Sequence, residues 1–277
     1  MSDLAREYLQ ELIIREFGVP RTFDAAAEVE RRLTFLTDLL ETSGATGYVL
    51  GISGGVDSST AGRLCQLAVE RIRAGGGDAG FLAMRLPYGV QHDEPDAQRA
   101  LELIRPDETV TVDIKPASDA MLDSLTAGGA GHHDLDRTDF LLGNIKARQR
   151  MIAQYAAAGP RNALVVGTDH AAEAVMGFFT KYGDGACDLT PLSGLTKRRV
   201  RAIATELGAP REIVDKVPTA DLETNRPGLP DEHAYGITYD EIDDFLEGRP
   251  VSDTAYETII TWHRRTAHKR ELPIAVS

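Results

Sequence analysis

The sequence predicts an α/β fold, a Rossmann-like parallel sheet with helices on both faces and extra helices at each end. Two observations carry this. Short continuous apolar runs alternate with stretches of helical period, and the first of these runs ends in a glycine-serine turn that opens a helix. The 277 residues are 42% hydrophobic and 26% charged, a composition able to bury a full core. One domain spanning 1–277 is expected, with 1–44 as a helical prelude.

Apolar residues three and four apart in "LAREYLQELIIREF" and "AAAEVERRLTFLTDLLE" predict helices over 4–16 and 24–43, separated by Gly18 and Pro20. "TGYVLGI" then reads as a strand, 57–74 as a helix, "GFLAMRL" as a strand and 93–104 as a helix. "ETVTVDI" is the third strand, 116–127 and 138–158 are helices, and "NALVVGT" is the fourth strand. Strands that are apolar throughout belong to a sheet covered on both faces, whose ligands gather at the strands' carboxyl ends. "GGAGHHDLDRTD" (128–139) and "PTADLETNRPGLPDEHAYG" (218–236) read as long loops. "KRRVRAIATELG", "TYDEIDDFLEG" and "TAYETIITWHRRTAHKR" complete the chain as helices.

Forty-three acidic against 30 basic residues leave a net charge of −13, which argues against broad nucleic-acid binding or attraction to an anionic membrane. No apolar segment of membrane-spanning length is present, and the first 18 residues are charged and amphipathic rather than signal-like. Cys65 and Cys187 stand far apart without metal-ligand spacing, as expected in a reducing cytoplasm.

In "LGISGGVDSST", Ser53, Gly54 and Gly55 leave a strand and enter a helix, so backbone amides and the positive helix end converge on a point that favours phosphate. The stretch is neither GxxxxGK[ST] nor GxGxxG, which weakens the case for ordinary γ-phosphoryl transfer or a dinucleotide fold. A carboxylate at Asp57 is repelled by polyphosphate unless a cation lies between them, so magnesium is expected. The plainer reading of Asp57 is an acid in a first helical turn.

Ser53 to Ser58 match SGGxDS, and the chain here resembles the N-type ATP pyrophosphatases. "LPYGVQ", "GNIKARQRM", "GTDHAAEAVMGFFTKYGDGACDLTPLSGLTK", "KVPTADL", "GITYDEID" and "HKR" extend the likeness to the ammonia-dependent NAD synthetase family over almost the whole chain. The resemblance implies that ATP and magnesium adenylate the nicotinate carboxylate of deamido-NAD, and that ammonia then displaces AMP. Activation is chemically required, because hydroxide is a poor leaving group and the phosphate of a mixed anhydride a good one.

Position by position, it implies that Gly51, Ile52, Ser53, Gly54, Gly55, Val56, Asp57 and Ser58 hold the ATP phosphates. Arg85, Gln91, Thr168, Lys197 and Thr219 complete the ATP site, and Asp57 and Glu173 bind magnesium. Arg148, Lys181, Asp188, His268 and Lys269 contact deamido-NAD. Asp57, Glu173, Lys197 and Asp188 are the expected catalytic set, with Asp184 or Asp188 assisting the ammonia step. It also implies a homodimer with deamido-NAD near the interface, and a role in assembly for the N-terminal and final helices.

The residues themselves leave alternatives. "TDHAAEA" also suits a solvated helix start, and His268 and Lys269 suit the negative end of a last helix. Lys197 at the start of a helix is unfavourable unless an anion faces it, and a polyphosphate would supply one. His132 and His133 read as surface residues, and Trp262 as a packing anchor. No triad surrounds Cys187, so free ammonia is the expected nitrogen source. Two rivals remain: a GMP synthetase-like enzyme sharing the "SGGVDSS" loop, although a PGPGL-type segment is missing, and a nucleotide sensor without chemistry.

Overall fold

The computed structural model describes residues 3–90, 94–131, 134–219, 231–271 and 273. Gln91, His132, His133 and most of the expected 218–236 loop lie outside them. Two helices come first, α1 (Asp3–Glu16) and α2 (Ala25–Ser43). The Asp24 side chain accepts the Ala27 amide to start α2, and Gly44 at φ 71° ends it.

Strand β1 (Gly47–Gly51) leads into α3 (Val56–Ala74), and β2 (Gly80–Arg85) into α4 (Glu94–Ile104). Strand β3 (Glu108–Thr111) is followed by α5 (Lys115–Ala127), α6 (Leu135–Ala158) and β4 (Leu164–Val165). The remaining helices are α7 (Ala171–Met176), α8 (Lys197–Glu206), α9 (Arg211–Val214), α10 (Asp231–Tyr235), α11 (Tyr239–Leu246), α12 (Asp253–Arg265) and α13 (Ala267–Arg270).

Three expectations change. Strands three and four are shorter than their apolar runs. β3 is an edge strand with mostly exposed side chains, and beyond β4 the chain is held by a single parallel bridge, Val166 to Leu189. Helix α6 starts at Leu135, so the expected 128–139 loop is shorter. The final helix is interrupted at Thr266, whose side chain is buried against Gly177 and donates its hydroxyl to the Trp262 carbonyl. A Cβ on Gly177 would lie 2.3 Å from the Thr266 Cβ, so α12 and the loop after α7 meet there at backbone range.

The sheet is wholly parallel in the order β3-β2-β1-β4. The chain moves outward from β1 to β3, then returns to the other side of β1. The carboxyl ends of β1 and β4 therefore flank the switch point, where open α/β sheets bind ligands. One face of the sheet packs on α2, α3 and α8 through Leu36, Tyr48, Leu64, Phe81 and Ile203. The other carries Val49, Met84 and Val165. A separate cluster joins α1, α7, α11 and α12 through Ile13, Ile14, Val175, Phe245 and Ile259, and Trp262 packs against it as a partly buried anchor. The core-facing sides of α1 and α2 are thus occupied within the chain. None of the helices among the described residues is long and apolar enough to cross a membrane.

Candidate active site

The turn after β1 is held open by its own side chains. Ser53 and Ser58 hydroxyls lie 3.1 Å apart, the Ser53 amide donates to Ser58 Oγ, and the Gly55 amide to Ser53 Oγ. Gly55 begins α3 without a side-chain cap, which leaves first-turn amides directed into the turn. Gly54 is at φ +83°, and a Cβ there would lie 2.7 Å from the Ala97 amide nitrogen, so α4 stands directly against the loop. Only glycine fits both constraints.

Asp57 projects from the first turn of α3. From the β4 side, His170 caps the six-residue helix α7 by accepting the Glu173 amide at Nδ1, which brings Glu173 into its first turn. Lys197 opens α8. Its Nζ donates to Asp57 Oδ2 at 2.8 Å and to Glu173 Oε1 at 3.3 Å. His170 Nε2 is 3.4 Å from Asp57 Oδ1 and 3.2 Å from Glu173 Oε1. The Lys197 and His170 side chains are sealed from solvent, whereas Asp57 and Glu173 keep 18% and 19% exposure. The acids open the cluster toward solvent and the bases form its floor.

Burial alone would raise the Asp57 pKa, but the Lys197 ammonium and His170 outweigh it and hold the carboxyl well below its usual range. Burial is likewise outweighed at Glu173 by His170 and Lys197, and at Lys197 by the two carboxylates, which keep its ammonium charged. At His170 burial opposes the charge, and Glu173 and Asp57 overcome it to push the pKa up to about 9. At Asp169 burial and then Glu173 outweigh the lowering by His170 and push it up to about 8. The sequence expected a polyphosphate to justify Lys197 at a helix start. Instead, two acids of the chain face its ammonium, and buried Asp243 accepts the Lys197 and Arg198 amides.

Asp57, His170 and Glu173 each place a ligand atom within 4.8 Å of the others. Asp57 Oδ1 is buried without a hydrogen bond among the described residues. Two carboxylates with an unsatisfied oxygen, beside amides that favour phosphate, fit a hard divalent cation.

The other expected residues fall into groups. Arg85 is buried and donates twice to Glu94, at 2.8 and 2.6 Å. Thr168 follows β4 at the carboxyl edge, and exposed Thr219 borders the undescribed segment. Around the loop after α7, Arg148 donates to the Lys181 carbonyl, Lys181 to that of His268, and Lys269 to those of Gly177 and Phe179. The structure therefore gathers the four basic candidates for deamido-NAD contact. Asp188 differs: it accepts the Val165 amide at 2.7 Å and the Tyr155 hydroxyl, so its hydrogen bonds go to β4 and α6 rather than to the acid cluster. Asp184 accepts the Thr180 amide. Burial pushes the Cys187 thiol up to about 11, which leaves it a poor nucleophile at neutral pH.

Sequence reasoning did not single out His170, Asp243 or Tyr239. Tyr239 lies under Lys197, with Nζ 4.8 Å from its ring centre, and donates to Asp231. His170 has a local partner in the Glu173 amide, but the contacts that bring all three to the cluster are to groups distant in the chain. Two surface grooves, of about 360 Å³ beside α1 and 580 Å³ between α4 and α9, lie away from the cluster.

The chain is similar to known proteins over almost its full length. It is 65% identical over 275 residues to the NH(3)-dependent NAD(+) synthetase of Streptomyces coelicolor, covering 99% of this chain and all of that protein. It is 65% identical over 261 residues to that of Burkholderia pseudomallei, covering 94% and 92%. Among solved structures, the NAD+ synthetase from Burkholderia pseudomallei aligns with a TM-score of 0.85 at 61% identity over 97% of this chain and 98% of that one. The NMN synthetase from Francisella tularensis aligns with a TM-score of 0.80 at 37% identity over 92% and 99%. The family model described as NAD synthase matches residues 28–273, and with this fold and these relatives the chain belongs to the NAD synthase family.

Proposed function

We propose that the chain is a ligase that uses ATP and ammonia to convert deamido-NAD to NAD, with release of AMP and pyrophosphate. The 65% identity to ammonia-dependent synthetases over 99% of the chain carries this reading. Its chemistry also suits the cluster at the switch point: an acid pair and a buried lysine, beside helix amides without a side-chain cap.

In this reading the loop 51–58 holds the ATP phosphates through the amides that follow Ile52 and the hydroxyls of Ser53 and Ser58, the Gly51 and Ile52 amides being donated to Gln154 and Met84, with Arg85, Gln91, Thr168 and Thr219 completing that site. Asp57 and Glu173 hold magnesium, which when bound neutralises phosphate charge and so makes the α-phosphorus a better electrophile. Lys197 exchanges its protein carboxylates for phosphate oxygens and stabilises charge on the leaving pyrophosphate. The nicotinate carboxylate attacks the α-phosphorus and the bond to pyrophosphate breaks. Ammonia then attacks the acyl carbon, AMP leaves with the bonding pair, and a proton is lost from nitrogen. Arg148, Lys181, His268 and Lys269 position deamido-NAD, and Asp188 contacts it from its place against β4 and α6. Asp184 or Asp188 takes the ammonium proton.

We assign a homodimer contact to α6, beside the role in assembly expected of the N-terminal and final helices. Leu141, Ile152 and Tyr155 are 38%, 52% and 37% exposed, and their spacing puts them on one helix face together with exposed Arg148. Pairing there would bring a deamido-NAD residue to the interface.

The purified protein should be given ATP, magnesium and deamido-NAD, with ammonium or glutamine in parallel. NAD forming one for one with AMP and pyrophosphate, far better with ammonium, is the expected result. Asp57→Asn and Glu173→Gln should abolish AMP formation. Amidation of the nicotinate mononucleotide in place of deamido-NAD would move the chain to the chemistry named for its Francisella relative, and ATP retained without cleavage would make it a binding protein.

A further inference from the structure

Within the acid cluster, the lysine and the histidine are held very differently. Lys197 reaches the carboxylates on a long flexible chain, whereas the His170 ring is fixed from both sides. Its Nδ1 is committed to the Glu173 amide at 3.4 Å, its side chain has no exposure, and the Tyr239 ring packs 6.4 Å from it. Its Nε2 is the only ring atom left, and it stands between Asp57 Oδ1 and Glu173 Oε1.

We propose that His170 is a positioning residue: its Nε2–H, shared between one oxygen of Asp57 and one of Glu173, sets the spacing of the two carboxylates for a divalent cation without ligating that cation. This rests on the reading of Asp57 and Glu173 as the metal-holding pair. It goes beyond that reading by excluding the third member of the cluster as a ligand.

With Nδ1 accepting the Glu173 amide, the ring proton sits on Nε2, which leaves that nitrogen no lone pair for a metal. Two oxygens compete for that one N–H, and neither contact is a well-aligned hydrogen bond, so the ring acts as a spacer between like charges. When a cation arrives, the flexible ammonium of Lys197 is free to leave, but the ring cannot follow it. The carboxylates therefore keep their spacing through the exchange. Groups that orient ligating side chains in this way alter metal affinity about 10- to 100-fold when removed.

His170→Asn separates this role from the cap. Asparagine is a good N-cap and can still accept the Glu173 amide, but it is too short to reach the acids. With Mn2+ as the probe ion and ATP present, electron paramagnetic resonance on the folded protein, well below its melting temperature, should show the Kd for Mn2+ raised about 10- to 100-fold in His170→Asn. An unchanged Kd would overturn the proposal. Independently of any variant, protein labelled with [15N]histidine should show no directly bonded histidine nitrogen in the pulsed spectrum of bound Mn2+. A strong 15N coupling would make His170 a ligand and overturn it. Asp57→Asn serves as the control. If Mn2+ binds equally well without that carboxylate, the metal-holding pair is wrong and the proposal falls with it.

Discussion

Lys197 compensates two acids at once, and its loss would be felt in the metal-free protein first. Removing one partner of a buried ion pair costs about 3–5 kcal/mol; the residual exposure of Asp57 and Glu173 puts this site near the lower end. Lys197→Met should therefore lower the melting temperature without metal, and magnesium should restore more of it than in the parent, because the acids keep only His170 beside the cation. Equal magnesium responses in calorimetry would contradict this. Asp169 predicts a pH effect of opposite origin. Its pKa rises from 3.8 to about 8 in the folded state, so the folded chain keeps a proton that the unfolded chain releases. Its contribution is complete below about pH 4 and is lost as pH rises toward 8. Asp169→Asn should flatten the fall in melting temperature between pH 5 and 8, and parallel curves for variant and parent would refute the assignment.

The glycine-serine turn after β1 works as an element because a second helix limits it. With Gly54 at φ +83° and the Ala97 amide 2.7 Å from any Cβ, Gly54→Ala must strain the backbone and push α4 away. The expected loss is about 1–3 kcal/mol of stability, together with weaker ATP binding. A variant that melts like the parent and binds ATP equally in titration calorimetry would show that the loop tolerates a side chain. The break at Thr266 belongs to this scale too. The helical period of "TAYETIITWHRRTAHKR" continues through it, and only the approach of Gly177 accounts for the turn that brings Lys269 to the Gly177 and Phe179 carbonyls.

For the whole molecule, the exposed apolar face of α6 predicts assembly. Leu141→Glu combined with Ile152→Glu should shift the sedimenting species from dimer to monomer and weaken deamido-NAD binding through Arg148 on the same face. Sedimentation unchanged by the double variant would place the interface elsewhere, with the exposed Leu4, Tyr8 and Leu12 of α1 as the next apolar stripe.

The sequence alone determined the succession of strands and helices, the glycine-serine turn between β1 and α3 and the acid at Asp57 in the first turn of α3, because apolar period and turn chemistry act over a few residues. It also led through motif resemblance to Glu173 and Lys197. What only the tertiary structure decided is which of these groups meet. Lys197 lies 140 positions from Asp57, and no local rule sets that distance. The order β3-β2-β1-β4 does so, by returning the chain beside β1 and laying the start of α7 against the start of α3. The same return seals His170 beneath the acids and assigns Asp188 to β4, because a side chain's partners follow from the packing of distant elements and not from its neighbours in sequence.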